Sequence, residues 1–283
     1  MNTSLITSEY VNTVIKERPR DIHKGDCGKV LVIAGSVGMA GAAMLCARGA
    51  LRAGAGLVRI SAPKELYAIL QVGIPEATCV PRELSPPDFA THDAIAIGPG
   101  LGDDETNAEL IRAVLKKYKK TVVLDADGIN AISRFHLLDN LRQTKAEMIL
   151  TPHMGEAGRL LEYCGTDISG MDRLSMAQCI SETTGTICVL KGSETLVATH
   201  GGDSYTNTTG NPGMATGGSG DVLTGIIAAL AGQGLSPADC AKAGVFIHGM
   251  AGDVCAASLG ETGMTALDIA NAVALAFKQI IGK

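Results

Sequence analysis

A glycine-rich turn stands directly before an apolar helical pattern in the last third of the chain. Residues 211–221 read NPGMATGGSGD, and VLTGIIAALAG follows at once. Glycines at the start of a helix let backbone N–H groups approach an anion, and the helix dipole adds about half a positive charge there. The turn therefore predicts a phosphate or oxyanion site. Its amides would come from Gly217, Gly218, Ser219 and Gly220.

The last residue of this turn, Asp221, has two possible roles. A carboxylate in a first helical turn is often only a stabilising cap, worth about 0.3–1 kcal/mol. Beside a phosphate site it can instead accept the proton of a hydroxyl that is being phosphorylated. The residues alone leave both roles open. They do exclude a Walker A loop, because GxxxxGK[ST] occurs nowhere in the chain.

Two further segments place polar residues after a predicted strand. In TPHMGE (151–156), His153 and Glu156 are candidates for ligand contact, although a structural histidine and a helix cap explain them equally well. In KGSET (191–195), the backbone is suited to lie along a nucleotide, and a simple hairpin turn is the alternative.

Glycines and aspartates mark other strand ends. GPGLG (98–102) permits close approach of a ligand. GSVGMAG (35–41) is a phosphate-binding or substrate-binding turn, or a helix entry through small residues. Asp125 and Asp127 in LDADGIN are candidates for water-mediated contact with Mg²⁺, or are turn formers at the end of a strand. Together these turns indicate a phosphorylated ligand held largely by backbone amides.

Apolar runs rich in β-branched residues alternate with helical patterns, which predicts an α/β fold: a three-layer α/β/α sandwich around a mainly parallel sheet. The predicted strands are 29–35, 56–61, 93–100, 121–127, 147–152, 186–192 and 195–199. The predicted helices are 41–53, 104–118, 153–163, 219–231, 237–257 and 264–281. No linker-like segment divides the chain, so we expect one domain over 1–283. Ligands bind such sheets at the carboxyl ends of the strands.

Composition narrows the classes of partner. The 283 residues carry a net charge of −5 without basic blocks, which argues against nucleic acid or an anionic membrane as a partner. The eight cysteines lack zinc-like spacing, so we expect reduced thiols. No signal peptide is visible, and no apolar run approaches the roughly 20 residues that cross a bilayer. We therefore expect a cytoplasmic protein.

The order of these motifs resembles the ADP-dependent (S)-NAD(P)H-hydrate dehydratases, members of the ribokinase-like superfamily. The resemblance covers nearly the whole chain from Lys24 onward. TPHMGE combined with GNPGMATGGSGDVLTG is specific to that family, whereas GxGD alone is shared across the superfamily. The matching segments are 23–36, 41–58, 96–102, 123–130, 150–156, 189–197 and 207–225.

The resemblance implies a ribokinase-like fold and repair of a damaged cofactor. The S epimer of hydrated NADH or NADPH would be dehydrated while ADP, or ATP, with Mg²⁺ gives AMP, or ADP, and phosphate. Asp221 would be the catalytic base. Substrate contacts would come from Ala42 or Ala43, Gly100 or Gly102, His153 and Asp221. Nucleotide contacts would come from Lys191, Gly192, Ser193, Glu194, Thr195 and Gly220. Glu156 would approach the metal through water.

The chain differs from the family pattern in two respects, and two other functions are possible. Many family members carry an epimerase domain ahead of this one, whereas about 23 residues precede the match here, so we do not expect epimerisation. Related kinases often have Asn where this chain has His153. The rivals are a kinase of a small hydroxylated vitamin or sugar and a non-catalytic dinucleotide sensor. The family also suggests a homo-oligomer, with a tetramer as one candidate.

Overall fold

A single mixed sheet organises the computed structural model, which describes residues 3–15, 17–83 and 86–282. Within those residues it has ten strands: β1 (Ser4–Leu5), β2 (Lys29–Ile33), β3 (Leu57–Ser61), β4 (Thr78–Val80), β5 (Ala94–Ile97), β6 (Thr121–Leu124), β7 (Glu147–Leu150), β8 (Ile187–Leu190), β9 (Leu196–Ala198) and β10 (Ser204–Thr206). Their order is β1-β10-β9-β8-β7-β6-β5-β2-β3-β4.

Most neighbouring strands are parallel. The exceptions are β8 with β9 and β9 with β10, which are antiparallel. The parallel run from β4 to β8 brings the carboxyl ends of its strands to one edge of the sheet. Because each of these strands is followed by a connection that must leave at that edge, the polar strand exits predicted from sequence converge there.

Helices cover both faces of the sheet. In the described ranges they are α1 (Ser8–Val14), α2 (Ala40–Arg52), α3 (Tyr67–Gly73), α4 (Pro86–Ala90), α5 (Glu105–Lys117), α6 (Asp127–Arg134), α7 (Leu138–Gln143), α8 (Met154–Tyr163), α9 (Arg173–Thr184), α10 (Ser219–Gly232), α11 (Pro237–Leu259) and α12 (Ala266–Ile281). Short 3₁₀ turns lie at Lys64–Leu66 and Pro212–Met214.

Two hydrophobic clusters separate the three layers. Alternate residues of β2 face opposite clusters: Val30 and Val32 pack with α2 and α10–α12, whereas Leu31 and Ile33 pack with α5–α9. This division follows from the period-two direction of side chains along a strand. The predicted three-layer α/β/α architecture is confirmed.

Close packing against α2 fixes the position of α10 over the sheet. A Cβ atom at Gly49 of α2 would collide with the carbonyl oxygen of Val222, and one at Gly225 of α10 would collide with the carbonyl oxygen of Cys46. The two backbones therefore approach each other where neither helix carries a side chain. As a result the first turn of α10 is held at the carboxyl edge of the sheet.

The elements that were predicted agree with the structure to within a few residues, and the main difference is a set of unpredicted elements, most of them short. The strand predicted at 121–127 ends at Leu124, because α6 already begins at Asp127. Strands β1, β4 and β10 have only two or three residues and give little periodic signal. Helices α1, α3, α4, α6, α7 and α9 were not predicted either. Across the described ranges, the helices are all too short or too polar to span a bilayer.

Candidate active site

The glycine-rich turn forms the start of α10, as its sequence predicts. Gly218 is the N-cap residue and has φ +92°, a left-handed conformation that favours glycine. A side chain there would also collide with Leu45 of α2. The cap residue has no side chain, so among the described residues the N–H groups of Gly220 and Asp221 are left without a capping partner, whereas that of Ser219 donates to the carbonyl of Thr216 at 3.3 Å. This is the geometry of an anion-binding helix terminus.

Asp221 lies in the first turn of α10 and is partly buried. Burial and the nearby carboxylate of Asp125 raise its pKa to about 7, against the opposing effect of Lys191. In the described part of the chain, this carboxylate takes part in no hydrogen bond or ion pair. An unengaged carboxylate with a pKa near neutrality is suited to accept a proton.

A buried ion pair lies beside Asp221. The Nζ of Lys191, which follows β8, is 2.6 Å from Oδ1 of Asp125, which follows β6. The other oxygen of Asp125 accepts a hydrogen bond from Oγ1 of Thr224 at 2.7 Å. Burial opposes the charge on Lys191, but its carboxylate neighbours outweigh this effect and raise its pKa. Lys191 therefore stays positively charged inside the site.

Asp125 and Asp127 each have a specific structural role, through different contacts. Asp125 is 1% exposed, and both of its oxygens are engaged by Lys191 and Thr224. Asp127 accepts the backbone N–H of Gly102 at 2.9 Å, which fixes the loop after β5. This hydrogen bond supports a structural role for Asp127 in the loop.

His153 and Glu156 cap the start of α8 reciprocally. Nδ1 of His153 accepts the N–H groups of Gly155 and Glu156 at 3.0 and 3.4 Å, and Oε2 of Glu156 accepts the N–H of His153 at 2.8 Å. With Nδ1 as acceptor, a neutral ring carries its proton on Nε2, which lies 3.2 Å from Oε1 of Glu156. The imidazole remains 54% exposed, so it can also meet a ligand.

The segment 191–195 is the turn of an antiparallel hairpin between β8 and β9. Gly192 and Glu194 have positive φ values, and the guanidinium of Arg173 donates to the carbonyl of Ser193. Residues 192–194 are exposed, whereas the Lys191 side chain turns inward. The hairpin is therefore present, and the side chain of Lys191 reaches the helix terminus of α10: a Cβ at Gly220 would be 3.2 Å from Nζ of Lys191.

Small residues of α2 and the loop 98–102 lie close together. A Cβ at Gly100 would lie 2.9 Å from Cβ of Ala42, whereas the nearest atom to one at Gly102 is 3.6 Å away. Ala43 is fully buried and Ala42 is only partly so. Ala42 is thus the more accessible alanine, and Gly102 has more open space around it than Gly100, although both glycines are partly buried.

Sequence reasoning missed the residues that support the glycine-rich turn from α11. Nε2 of His248 lies 3.3 Å from Oγ of Ser219, and burial lowers the pKa of His248 to about 4, so the ring is neutral. Asp253 accepts the N–H of Gly210 and the side-chain amide of Asn211 at 2.9 and 3.0 Å. The only sequence signal was the presence of these polar side chains in an otherwise apolar helix.

A metal would have few protein ligands here. The described ranges contain no group of three or more His, Cys, Asp or Glu side chains placed to hold an ion. Both oxygens of Glu156 contact His153, and its Oε2 also lies 3.9 Å from the ammonium of Lys191. This donor set fits a Mg²⁺ ion carried mainly by phosphate oxygens and water, which is how Mg²⁺ is commonly bound.

Comparison with known proteins points to one family. The sequence model of the family described as NAD(P)H-hydrate dehydratase matches residues 30–274. A bifunctional NAD(P)H-hydrate repair enzyme of Moorella thermoacetica is 40% identical over 281 residues, which are 95% of this chain and 52% of that protein. The chain therefore spans about half the length of this curated relative.

A relative of similar length and a solved structure point to the same family. The ADP-dependent (S)-NAD(P)H-hydrate dehydratase of Neisseria meningitidis is 38% identical over 265 residues, covering 92% of this chain and 88% of that protein. The ADP/ATP-dependent NAD(P)H-hydrate dehydratase of Bacillus subtilis, co-crystallised with ATP and Mg²⁺, superposes with a TM-score of 0.85 at 28% identity over 99% of both chains. The ribokinase of Thermotoga maritima shares the fold, with a TM-score of 0.59 at 12% identity over 88% of this chain and 98% of that chain.

Proposed function

Because the chain belongs to the NAD(P)H-hydrate dehydratase family, we propose that it repairs hydrated nicotinamide cofactors. The substrate is the S epimer of hydrated NADH or NADPH, and dehydration is coupled to conversion of ADP to AMP and phosphate, with ATP as the alternative donor. The observation that carries this proposal is Asp221: an unengaged carboxylate whose pKa is raised to about 7, in the first turn of an anion-binding helix.

The reaction begins with transfer of a phosphoryl group. Asp221 accepts the proton of the hydroxyl on the hydrated ring, and the hydroxyl oxygen attacks the terminal phosphorus of ADP. The bond from that phosphorus to the bridging oxygen breaks, and AMP leaves. The free amide of Gly220 at the start of α10 and the charge of Lys191 stabilise the negative charge of the transferred group.

Elimination then completes the dehydration. Hydroxide is a poor leaving group, and the phosphate ester is a good one. The lone pair of the ring nitrogen assists cleavage of the C–O bond, phosphate leaves, and loss of a proton from the neighbouring carbon restores the ring double bond. The products are NADH or NADPH, AMP and phosphate.

The geometry supports distinct positions for the two substrates. We assign the exposed residues 192–194 and Gly220 to the nucleotide. We assign Ala42, Gly102 and His153 to the hydrated dinucleotide. Mg²⁺ bound with the nucleotide would neutralise charge on its phosphates. Glu156 is positioned to approach that ion through water.

The test is a coupled assay of the full chain. Hydrated NADH is mixed with Mg²⁺ and either ADP or ATP, and recovery of the reduced-nicotinamide absorbance is followed together with phosphate release. We expect recovery that depends on the nucleotide and is lost in Asp221→Asn. Absence of recovery with either donor, in protein that still binds nucleotide, would remove the proposed activity.

The ribokinase-like fold makes a small-molecule kinase the second candidate. The reaction product distinguishes a kinase from the dehydratase. A kinase would accumulate a phosphorylated substrate, whereas the dehydratase releases free phosphate in step with recovered cofactor. A non-catalytic sensor would show neither product. A homo-oligomer and a cytoplasmic location are further parts of this proposal.

A further inference from the structure

A cavity of about 400 Å³ opens beside the proposed dinucleotide side of the active site. It lies between α6, α8 and the loop after β5. This volume is at the lower end of small-molecule pockets, which span about 300–1,000 Å³, so it suits part of a dinucleotide. Its walls include Met39, Gly102, Asp127, Asn130, Phe135 and Arg159.

The cavity adjoins two residues of the proposed substrate site. Gly102 is part of its wall. On α8, a Cβ at Gly155 would lie 3.0 Å from Cε1 of His153 and 3.5 Å from Nη1 of Arg159. The imidazole and the guanidinium therefore converge over Gly155, where no side chain separates them. A ligand that touches Gly102 and His153 can extend directly to Arg159.

The two arginines of the cavity differ in how their charges are used. Arg134 forms an ion pair with Asp103 and lies over the ring of Phe135 at 5.7 Å. Arg159 donates from Nε and Nη2 to the neutral Oδ1 of Asn130 at 3.1 and 2.9 Å. Over the described ranges, Arg159 has no carboxylate within 4.0 Å. Arg159 therefore brings to the cavity a positive charge that is in contact with no carboxylate of the described chain and is oriented by Asn130.

Asp127 supplies the complementary hydrogen-bond acceptor. Its Oδ2 accepts the N–H of Gly102 at 2.9 Å, which leaves capacity on the carboxylate for a hydroxyl donor. A carboxylate that accepts from ribose hydroxyls and an arginine that accommodates a phosphate are the usual means by which proteins recognise this part of a dinucleotide.

We propose that this cavity binds a ribose phosphate unit of the dinucleotide substrate, with Arg159 paired to the phosphate and Asp127 accepting from the ribose. The assignment rests on the proposed function, since it names the part of that substrate held outside the reacting ring. Arg159 would contact the phosphate equally in the bound substrate and in the transition state. Its contact therefore contributes to binding and leaves the chemical step unchanged.

The test compares Arg159→Gln with wild-type enzyme in the coupled assay. Gln retains a donor toward Asn130 and removes the charge. We expect KM for hydrated NADH to rise at least about tenfold, as for loss of one charge-assisted contact, with kcat within about twofold. An effect on both hydrated NADH and hydrated NADPH assigns a 5′-phosphate, and an effect confined to hydrated NADPH assigns the 2′-phosphate. An unchanged KM for both substrates overturns the assignment.

Arg112→Gln on α5 is the matched control, because it removes an arginine that is paired with Glu109 and does not line the cavity. We expect its KM within about twofold of wild type. An equal rise in both variants would show a general loss of positive charge and would also overturn the assignment.

A binding measurement separates this inference from the proposed function. Calorimetric titration with ribose 5-phosphate, without nucleotide, requires no turnover. Binding that is lost in Arg159→Gln supports the cavity even if hydrated NADH is not repaired. Repair by wild type combined with ribose 5-phosphate binding that is equal in both proteins refutes the cavity and leaves the repair activity intact.

Discussion

The Asp221 carboxyl is placed where its charged form is disfavoured. Burial and Asp125 raise its pKa to about 7, and the ammonium of Lys191 limits the rise. A base with a pKa near the working pH combines a useful deprotonated fraction with useful basicity. Burial and the charges of Asp125 and Lys191, neither of which bonds to Asp221 directly, therefore set its protonation state.

We expect the pH profile of the repair reaction to report this carboxyl. The base acts when deprotonated, so kcat/KM should fall about tenfold for each pH unit well below 7 and level off above it. In Asp221→Asn we expect a rate lower by at least about 100-fold and no such acid limb. The measurement is kcat/KM between about pH 5 and 9. Full activity in the variant would exclude Asp221 as the base.

We expect ionised Asp221 to lower the free energy of unfolding. Its folded-state pKa is raised, so the folded state binds the proton more tightly than the unfolded state, and the free energy of unfolding falls as pH rises from 3.8 toward about 7. We expect Asp221→Asn to raise that free energy by about 1–3 kcal/mol at pH 8. The gain should shrink as pH approaches 4. Urea unfolding at both pH values measures it, and a gain independent of pH would contradict the titration.

At the scale of elements, the active site depends on how α10 begins and what it packs against. Glycines at the contact with α2 bring the two helices together, and α11 supports the preceding segment through Asp253. The proposed anion site is thus supported by three helices, although its amides come from α10 alone.

Gly218→Ala tests this construction. The substitution places a side chain at φ +92° and against Leu45. We expect the free energy of unfolding to fall by about 1–3 kcal/mol, and nucleotide affinity to fall with the distorted turn. The matched control for stability is Gly217→Ala, since a Cβ at Gly217 meets no atom within 4 Å. Chemical denaturation of both variants gives the comparison, and equal stability would contradict the strain argument.

At the scale of the whole molecule, the parallel strands bring distant segments to one edge, while apolar side chains are left exposed elsewhere. Val72 and Ile69 of α3 are 86% and 54% exposed, next to the edge strand β4. Burial of such side chains between identical copies would stabilise an assembly.

We expect the protein to sediment as a multiple of its 29.1 kDa chain, with α3 at an interface between copies. Val72→Asp should shift the distribution toward monomer, because it would bury a charge in an apolar contact. Leu259→Asp, at the exposed end of α11, is the control. Analytical ultracentrifugation at micromolar concentration measures both, and a purely monomeric wild type would refute the oligomer.

The sequence by itself determined the order of the main strands and helices and the glycine-rich turn before α10. These features depend on local periodicity and on backbone conformations that glycine favours, which neighbouring residues specify. For the same reason the resemblance to a family could be stated from motifs alone. The short strands β1, β4 and β10 escaped prediction because two or three residues carry too little pattern.

Only the tertiary structure decided the electrostatics of the site and its extent. Lys191 is 66 residues from Asp125 in sequence, and Thr224 is 99 residues from it, so no local pattern indicates that they share a buried network. The raised pKa of Asp221, the neutral His248 beneath Ser219 and the Arg159 guanidinium oriented by Asn130 all arise from such long-range neighbours. Charge and desolvation act through space, and the fold determines which groups are close enough to interact.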